Sequence, residues 1–280
     1  MRRPLSSMSK KNKWLSAPYL AFILCGTVIP LLAILYYALV DKNGSLTFAN
    51  LASIAESVHL KALGLSLLLA FTTTLICLLL AFPLGLLLRK TGGQKKGFII
   101  FLLILPMWMN FLLRTIAWKI LLQKTGVINT ILAALGFEKG LNIINTPTAV
   151  VLGMVYDFLP FMILPIYNVM IKIDNSLIEA AYDLGASPFK VMKDVLLPLS
   201  MPGIISGITM TFVPSMTSFA ISEILGGGNI SLIGNIIEGE FLRGGSRNVG
   251  SGLSMVMMVF ILISMALLNK FDKNGEGTVI

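Results

Sequence analysis

Charged side chains are scarce in this sequence of 280 residues: they make up 12% of it, whereas apolar residues make up 56%. A soluble domain carries about 25% charged residues, so this composition excludes an ordinary soluble globular domain. Uncharged runs of roughly 20 residues, long enough to cross a bilayer as helix, recur along the chain, and their continuous apolar character favours helices over barrel strands. The sequence therefore predicts an all-α integral membrane protein with six transmembrane helices, near 17–40, 64–88, 98–121, 148–171, 202–224 and 249–268.

Residues that build metal and nucleotide sites are also few. The chain has one histidine, His59, and two cysteines, Cys25 and Cys77, both within apolar runs. We therefore expect no metal site and no disulfide, and we interpret the cysteines as small core residues. The phosphate-binding pattern GxxxxGK[ST] is missing, which indicates that the chain carries no ATPase of its own. One isolated histidine and scattered acids likewise argue against an integral membrane enzyme.

The excess of positive charge, +9 in total, is concentrated in alternate connections between the predicted spans. These connections are the N-terminus 1–16, the segment that follows the second span and begins at Arg89, the segment 172–200, and the tail 269–280. By the positive-inside rule, both termini and the segment 172–200 are predicted to be cytoplasmic. Charge placed in this way fits a chain embedded in the lipid bilayer and argues against binding to nucleic acid. The first apolar run is too long for a cleaved signal sequence, so we expect it to be retained as helix 1.

The segment 176–202 is a polar island between the fourth and fifth predicted spans. Ser176 followed by Glu179 is the pattern of a capping box, in which each residue's side chain accepts the other's backbone N–H. It predicts a helix that begins near Leu177. Gly185 is expected to end this helix, because the left-handed conformation found there is least costly for glycine.

A second short helix is predicted to follow in the same island. Ser187-Pro188 offers an N-cap serine followed by proline at the first helical position. Leu197-Pro198 and Met201-Pro202 are expected to break this second helix before the fifth span begins. The island is therefore predicted to be an ordered element, not a loose connection.

The spacing of the island resembles the cytoplasmic loop by which the permeases of bacterial ABC importers contact their ATPase. That pattern is Glu-Ala-Ala, three residues, Gly, nine residues, an aliphatic residue, one residue, and Leu-Pro; here it is formed by Glu179, Ala180, Ala181, Gly185, Val195, Leu197 and Pro198. The resemblance covers about 60–268 and implies the type I (MetI-like) permease fold, with 173–200 as the loop that docks onto the ATPase. The alternative, that Glu179 only caps a helix and Gly185 only forms a turn, stays open on the sequence alone.

Four further stretches resemble the first of the two permease subunits of spermidine/putrescine importers: 106–122, 153–167, 183–204 and 225–242. This resemblance implies a subunit that moves polyamines across the cytoplasmic membrane by alternating access. It implies as partners a second, homologous permease, a pair of ATPase subunits that bind the ATP, and an extracytoplasmic substrate-binding protein. No cofactor is expected on the chain itself. Two alternatives remain: the same type of permease for ferric ion, phosphonate or an amino-acid derivative, and a self-contained secondary carrier, for which we find no inverted repeat.

Charged residues within the predicted spans are the candidates for the transport path. Arg114 and Asp157 lie at similar depths, and charges in such positions usually pair with each other, so one interpretation is an ion pair. The other is that Asp157 or Glu223 binds a polyamine ammonium group, with aromatic rings supplying further contacts to the cation. The aromatic residues available are Trp108, Trp118, Tyr156, Phe158, Phe161 and Phe219, of which Tyr156, Trp108 and Phe219 are assigned to the path.

Overall fold

A computed structural model describes residues 17–91, 93–137 and 140–271 of the chain. The predicted cytoplasmic segment 1–16 and most of the predicted tail 269–280 lie outside these residues. Within them the structure is helical, and the only strand-like feature is an isolated bridge between Val40 and Leu46. The predicted all-α class is therefore confirmed.

Twelve helices follow one another in the described part of the chain. They are α1 (Ala17–Ile23, a π-helical turn Leu24–Val28, and Ile29–Leu39), α2 (Ala49–Ala52), α3 (Ser57–Lys90), α4 (Gly93–Ile104, extended by a 3-10 turn Leu105–Trp108), α5 (Phe111–Leu122), α6 (Val127–Ala134), α7 (Pro147–Met170), α8 (Asn175–Asp183), α9 (Pro188–Val191, a π-helical turn Met192–Leu196, and Leu197–Thr217), α10 (Ala220–Gly226), α11 (Ile233–Leu242) and α12 (Arg247–Phe271).

Five of these helices are long and apolar enough to cross a membrane: α1, α3, α7, α9 and α12. A sixth span results if Gly97–Trp108 and Phe111–Ala134 are counted together as one bent element. The described residues thus contain five or six candidate spans, each of which overlaps one of the six predicted from the uncharged runs.

The third predicted span, 98–121, is not the continuous helix that its apolar run predicts. It bends by 95° between Trp108 and Phe111. Met109 is extended, and the side chain of Asn110 accepts the backbone N–H of Leu112 at 2.9 Å, which caps a new helix. An N-cap residue has a non-helical backbone, so the chain turns at Asn110 although its neighbours are apolar.

The fifth predicted span, 202–224, was placed wrongly at both ends. The helix runs without a break through Pro198 and Pro202, from Pro188 to Thr217. Its π-helical turn, Met192–Leu196, widens the backbone just before Pro198, where an α-helical path would bring the proline ring against the carbonyl group four residues earlier. At the other end Ser218 is extended, and α10 follows as a separate short helix.

The chain divides into two compact units. The first contains the described residues 17–56 together with Gly239–Val259. In it, the side-chain amide of Asn50 donates to the carbonyl oxygens of Ala38 and Val40 at 3.2 and 2.9 Å. These are carbonyl groups that the end of α1 leaves without helical partners. Most side chains of α1 are exposed, as suits a helix whose surroundings are lipid.

The second unit contains Ser57–Glu238 and the described residues from Phe260 onward. Its core is built where α3, α7 and α9 pack against one another, and it has two apolar clusters. Glycines allow the close approach: a Cβ on Gly203 of α9 would lie 2.7 Å from the backbone oxygen of Pro165 in α7, and one on Gly85 of α3 would lie 3.0 Å from the sulfur of Met170. Small residues at helix crossings are typical of membrane bundles, where packing replaces the hydrophobic effect.

Candidate docking loop and transport pocket

The first helix of the polar island is α8, and its N-cap is Asp174. The Asp174 carboxylate accepts the backbone N–H of Ser176 at 3.0 Å. This hydrogen bond, with another from the Ser176 side chain, lowers the pKa of Asp174 below its ordinary value. The predicted capping box of Ser176 and Glu179 is therefore wrong. Asp174 caps two residues earlier, and Ser176 already lies in the first turn of the helix.

The end of α8 is a Schellman motif with Gly185 in the left-handed conformation, as the sequence predicts. Gly185 has φ +77°. Its N–H donates to the carbonyl of Tyr182 at 2.8 Å, and the N–H of Ala186 donates to the carbonyl of Ala181 at 3.0 Å. These two bonds occupy carbonyl groups that would otherwise have no partner.

The second helix of the island begins where it was predicted. Ser187 is its N-cap, with an oxygen that accepts the Lys190 N–H at 3.4 Å, and Pro188 occupies the first turn. Because this helix is the first part of α9, the island is joined to the membrane bundle by an unbroken helical backbone. A rigid connection of this kind transmits displacement better than a loop.

The residues of the predicted docking motif lie on the surface of the loop. Most are exposed, namely Glu179, Ala180, Gly185, Leu197 and Pro198, whereas Ala181 and Val195 are half-buried. Larger apolar side chains lie around them in the open: Leu184 is 89% exposed, Phe189 is 68% exposed and Tyr182 is 48% exposed. Apolar side chains gathered on a polar loop mark a contact surface for a partner.

Arg89, at the end of α3, holds the start of the loop. Its Nε donates to the carbonyl of Met170 at 3.0 Å, and one Nη donates to the carbonyl of Ile173 at 2.9 Å and to the side-chain oxygen of Asn175 at 2.7 Å. One side chain thus joins α3, the end of α7 and the first residue of α8. The sequence indicated only that Arg89 is a positive charge on the cytoplasmic side. Its position in the last turn of a span was the signal for this role, because basic side chains there can donate to free carbonyl groups.

Arg114 and Asp157 lie side by side inside the second unit. A terminal guanidinium nitrogen of Arg114 is 3.2 Å from Oδ1 of Asp157, and the two side chains are 8% and 4% exposed. Oδ2 of Asp157 accepts the hydroxyl of Thr115 at 3.4 Å. Oδ1 of Asp157 has no partner in hydrogen-bond geometry, and neither have Nε and Nη1 of Arg114. The pair is a charge contact in which much of the hydrogen-bonding capacity is unused.

A pocket of about 310 Å³ opens beside this pair. Asp157 and Arg114 supply its charges, and phenyl rings form much of its wall. The lining residues from α5 and α7 are Phe111, Arg114, Asp157, Phe158 and Phe161, and those from the α9–α10 region are Pro214, Thr217, Ser218, Phe219, Ala220 and Ile221. Buried charge and aromatic rings are therefore combined in one cavity at the break between α9 and α10.

The structure brings only some of the predicted path residues to this pocket. Asp157 and Phe219 line it. Tyr156 lies behind Arg114, with the guanidinium carbon 5.8 Å from its ring centroid. Glu223 accepts the side-chain N–H of Asn235 at 3.4 Å, and Trp108 is 79% exposed; neither lines the pocket.

Two residues near the carboxylate were missed at the sequence level. Phe111 and Thr115 lie in α5 on either side of Arg114 in sequence, and both come close to Asp157 or its pocket. Phe111 lies three residues before Arg114, and this helical spacing was the signal that could have placed it on the same face. Thr115 had no such signal, because its neighbour is on another helix.

Comparison with known proteins gives three findings. A family model described as binding-protein-dependent transport system inner membrane component matches residues 4–274. The spermidine/putrescine transport system permease protein PotB of Haemophilus influenzae is 35% identical over 268 residues, which cover 91% of this chain and 93% of that protein. Two crystal structures of bacterial alginate ABC transporters share the fold.

The first of these structures is of a transporter involved in the import of the acidic polysaccharide alginate. It matches with a TM-score of 0.80 at 16% identity over 95% of this chain and 98% of the other. The second is a complex with a periplasmic protein bound to an alginate pentasaccharide. It matches with a TM-score of 0.77 at 15% identity over 94% and 95% of the two chains.

Proposed function

This chain belongs to the family of binding-protein-dependent transport system inner membrane components, and we propose that it is a permease subunit of an ATP-driven importer of spermidine and putrescine. It is an integral protein of the inner membrane and a transport subunit, not itself an enzyme. The observation that carries the choice of substrate is the 35% identity to a spermidine/putrescine permease over nearly the full length of both proteins. The alginate transporters share the fold at 16% identity and do not bear on the substrate.

The loop 173–200 is the surface that docks onto an ATPase subunit. Three observations support this assignment: α8 is capped at both ends, apolar side chains around it are exposed, and Arg89 fastens its first turn to the bundle. Glu179 is not required to cap the helix, because Asp174 is the N-cap. Glu179, Ala180, Ala181 and Gly185 are therefore available for contact with the partner, and Leu197 and Pro198 complete the motif at the base of α9.

The complete importer contains a second, homologous permease, two ATP-binding subunits and an extracytoplasmic binding protein that delivers the polyamine. ATP is bound by the partner subunits, and this chain holds no cofactor. The extracytoplasmic binding protein is supported as a partner by an alginate ABC transporter of the same fold, which was crystallised in complex with a periplasmic protein. The loop 173–200 and both termini face the cytoplasm, as the positive charges predict.

The loop converts closure of the ATPase pair into movement of the bundle. A push on α8 reaches α3 and α7 through Arg89 and reaches α9 through the unbroken helix that starts at Pro188. These three helices are also packed together by close glycine contacts. Displacement of these helices by the loop alternates the access of the path between the two sides of the membrane.

The test is uptake by the reconstituted system. The chain is co-expressed with the second permease, ATPase and binding protein of a polyamine importer from the same organism, in a strain that lacks polyamine uptake. Uptake of radiolabelled spermidine, putrescine, ferric ion, a phosphonate and an amino-acid derivative is compared. We expect uptake of the two polyamines, and none when the phosphate-binding lysine of the ATPase is replaced. Uptake of ferric ion, phosphonate or an amino-acid derivative without uptake of polyamines would overturn the choice of substrate.

A further inference from the structure

We propose that the pocket at Asp157 is a binding site for an ammonium group of the substrate, and that Arg114 occupies this site in the present conformation as a tethered substitute for that cation. The proposal rests on the function given above. It goes further by assigning a carboxylate, a competing group and a set of aromatic rings to one step of transport.

The two charges are incompletely paired. A buried ion pair that serves stability needs excellent geometry and further hydrogen bonds for its remaining atoms. Arg114 instead presents one nitrogen to Asp157 at 3.2 Å, and its Nε and Nη1 have no partners. Since Oδ1 of Asp157 also lacks a hydrogen bond, the contact leaves the carboxylate able to accept a better donor.

The pocket combines a carboxylate with aromatic rings, which suits an organic cation. Phe111, Phe158, Phe161 and Phe219 line the same pocket as the carboxylate of Asp157. An ammonium group that loses its water is attracted both to a carboxylate and to ring faces, and the aliphatic stem of a polyamine packs on the same rings. A pocket of about 310 Å³ is of the size that small ligands occupy.

Arg114 has a second contact, the ring of Tyr156, that stabilises it when it is displaced from Asp157. Its guanidinium carbon lies 5.8 Å from the ring centroid of Tyr156, so this ring can keep the displaced cation stabilised by a cation–π contact. Tyr156 is in turn fixed by Trp118, at 5.3 Å between ring centroids and an interplanar angle of 68°. The arginine therefore keeps this contact when it gives up Asp157.

One wall of the pocket contains a break between two helices. Thr217, Ser218, Phe219 and Ala220 form the junction between α9 and α10, where Ser218 leaves the helical conformation. Broken helices at transporter binding sites expose backbone groups and move at the break. Movement of α9 by the docking loop thus acts directly on one side of this site.

A tethered competitor suits a transport site. Because Arg114 is always present at high effective concentration, it lowers the affinity of the site for the substrate and returns to Asp157 when the substrate leaves. A polyamine that is delivered by a binding protein then passes through the site without being trapped there. The same arrangement explains why a cation path contains an arginine.

The experiment uses the complete importer in proteoliposomes with three variants of this chain: Asp157→Asn, Arg114→Gln and the double variant Arg114→Leu/Asp157→Leu. For each we measure assembly, ATP hydrolysis stimulated by the spermidine-loaded binding protein, uptake per assembled complex, and equilibrium binding of labelled spermidine to the importer without binding protein. Lys119→Gln, which removes a cation from the same helix outside the pocket, is the matched control.

We expect Asp157→Asn to lower uptake per complex about ten-fold or more, the effect of losing one charge-assisted contact, while stimulated hydrolysis continues. Arg114→Gln should tighten spermidine binding about ten-fold, and Lys119→Gln should leave it unchanged. The double variant removes both charges, so it should assemble even if Asp157→Asn does not, yet it should transport poorly.

Full uptake per complex by the double variant would overturn the proposal, because it would show that the two charges serve only to neutralise each other. Weaker spermidine binding by Arg114→Gln would also overturn it. These failures are distinguishable from failure of the proposed function, in which the unaltered importer itself would not take up polyamines.

Discussion

Replacement of Gly185 tests whether the shape of the docking loop is required for coupling to the ATPase. Gly185 has φ +77°, and no atom lies within 4 Å of the position that a Cβ would take. A side chain therefore meets no clash in the chain itself, and the cost of a substitution comes from the left-handed backbone alone. That cost is about 1–2 kcal/mol for most residues, less for asparagine and more for a β-branched residue.

This cost is large in comparison with the stability of α8. The helix has nine residues, whereas an isolated helix shorter than about 12–15 residues is marginal in water. Its last turn is closed by the two hydrogen bonds of the Schellman motif, from Gly185 and Ala186. A loss of about 2 kcal/mol lowers the population of that closed turn roughly 30-fold.

The assay compares Gly185→Asn, Gly185→Ala and Gly185→Val in the complete importer. For each variant we measure membrane insertion, co-purification of the ATPase, and ATP hydrolysis stimulated by loaded binding protein. We expect insertion to be unchanged in all three, and retention of the ATPase to fall in the order Asn, Ala, Val, with a loss of about ten-fold or more for valine.

Normal ATPase retention and normal uptake by Gly185→Val would refute the assignment of this loop as the docking surface. If Gly185→Asn loses as much of the ATPase as Gly185→Val does, strain of the left-handed backbone is not the cause of the loss. The partner then packs against the backbone of Gly185 itself. The expected order of the three variants is wrong in that case, although the assignment of the docking surface is right.

Three further predictions concern the fastening of this loop and the packing of the bundle. Arg89→Gln removes a side chain that makes three hydrogen bonds; we expect uptake per ATP hydrolysed to fall several-fold, whereas the neighbouring Lys90→Gln leaves this ratio unchanged. The N–H that Asp174 accepts in the first turn of α8 lowers the pKa of that carboxyl, so its contribution to helix stability is present above the ordinary carboxyl pKa and is lost as the pH falls through the lowered value. Asp174→Ala should therefore reduce hydrogen-exchange protection of α8 at neutral pH and have less effect in acid, and equal protection at neutral pH would contradict this. Gly203→Ala places a Cβ 2.7 Å from a backbone oxygen of α7 and should cost about 1–3 kcal/mol, seen as a lower melting temperature of the purified importer, while Gly64→Ala, which has open space, should not lower it.

Local signals were sufficient for much of the docking loop. The end of α8 at Gly185 and the restart at Ser187-Pro188 were predicted because each depends on residues within four positions in the chain. The N-cap was missed although Asp174 was equally visible. Asp and Ser are both favoured at the N-cap, and residue type alone does not rank Asp174 against Ser176.

The pocket and the clamp could not be predicted in the same way. Arg114 and Asp157 were recognised as rare charges in apolar spans, but the arrangement of rings around them depends on how α5, α7, α9 and α10 meet. Arg89 was counted only as a positive charge, because its acceptors lie more than eighty positions away in sequence.

The sequence by itself determined that this is a helical membrane protein, where most of its spans lie, and which connection carries the docking motif. It did so because exclusion of charge from lipid and the capping of helix ends are local requirements, written into consecutive residues. The tertiary structure alone decided the joining of α8 to two spans by Arg89 and the gathering of phenyl rings in the pocket at Asp157. These features arise from contacts between helices that are distant in sequence, and within a membrane every apolar helix face satisfies the same local requirement equally well.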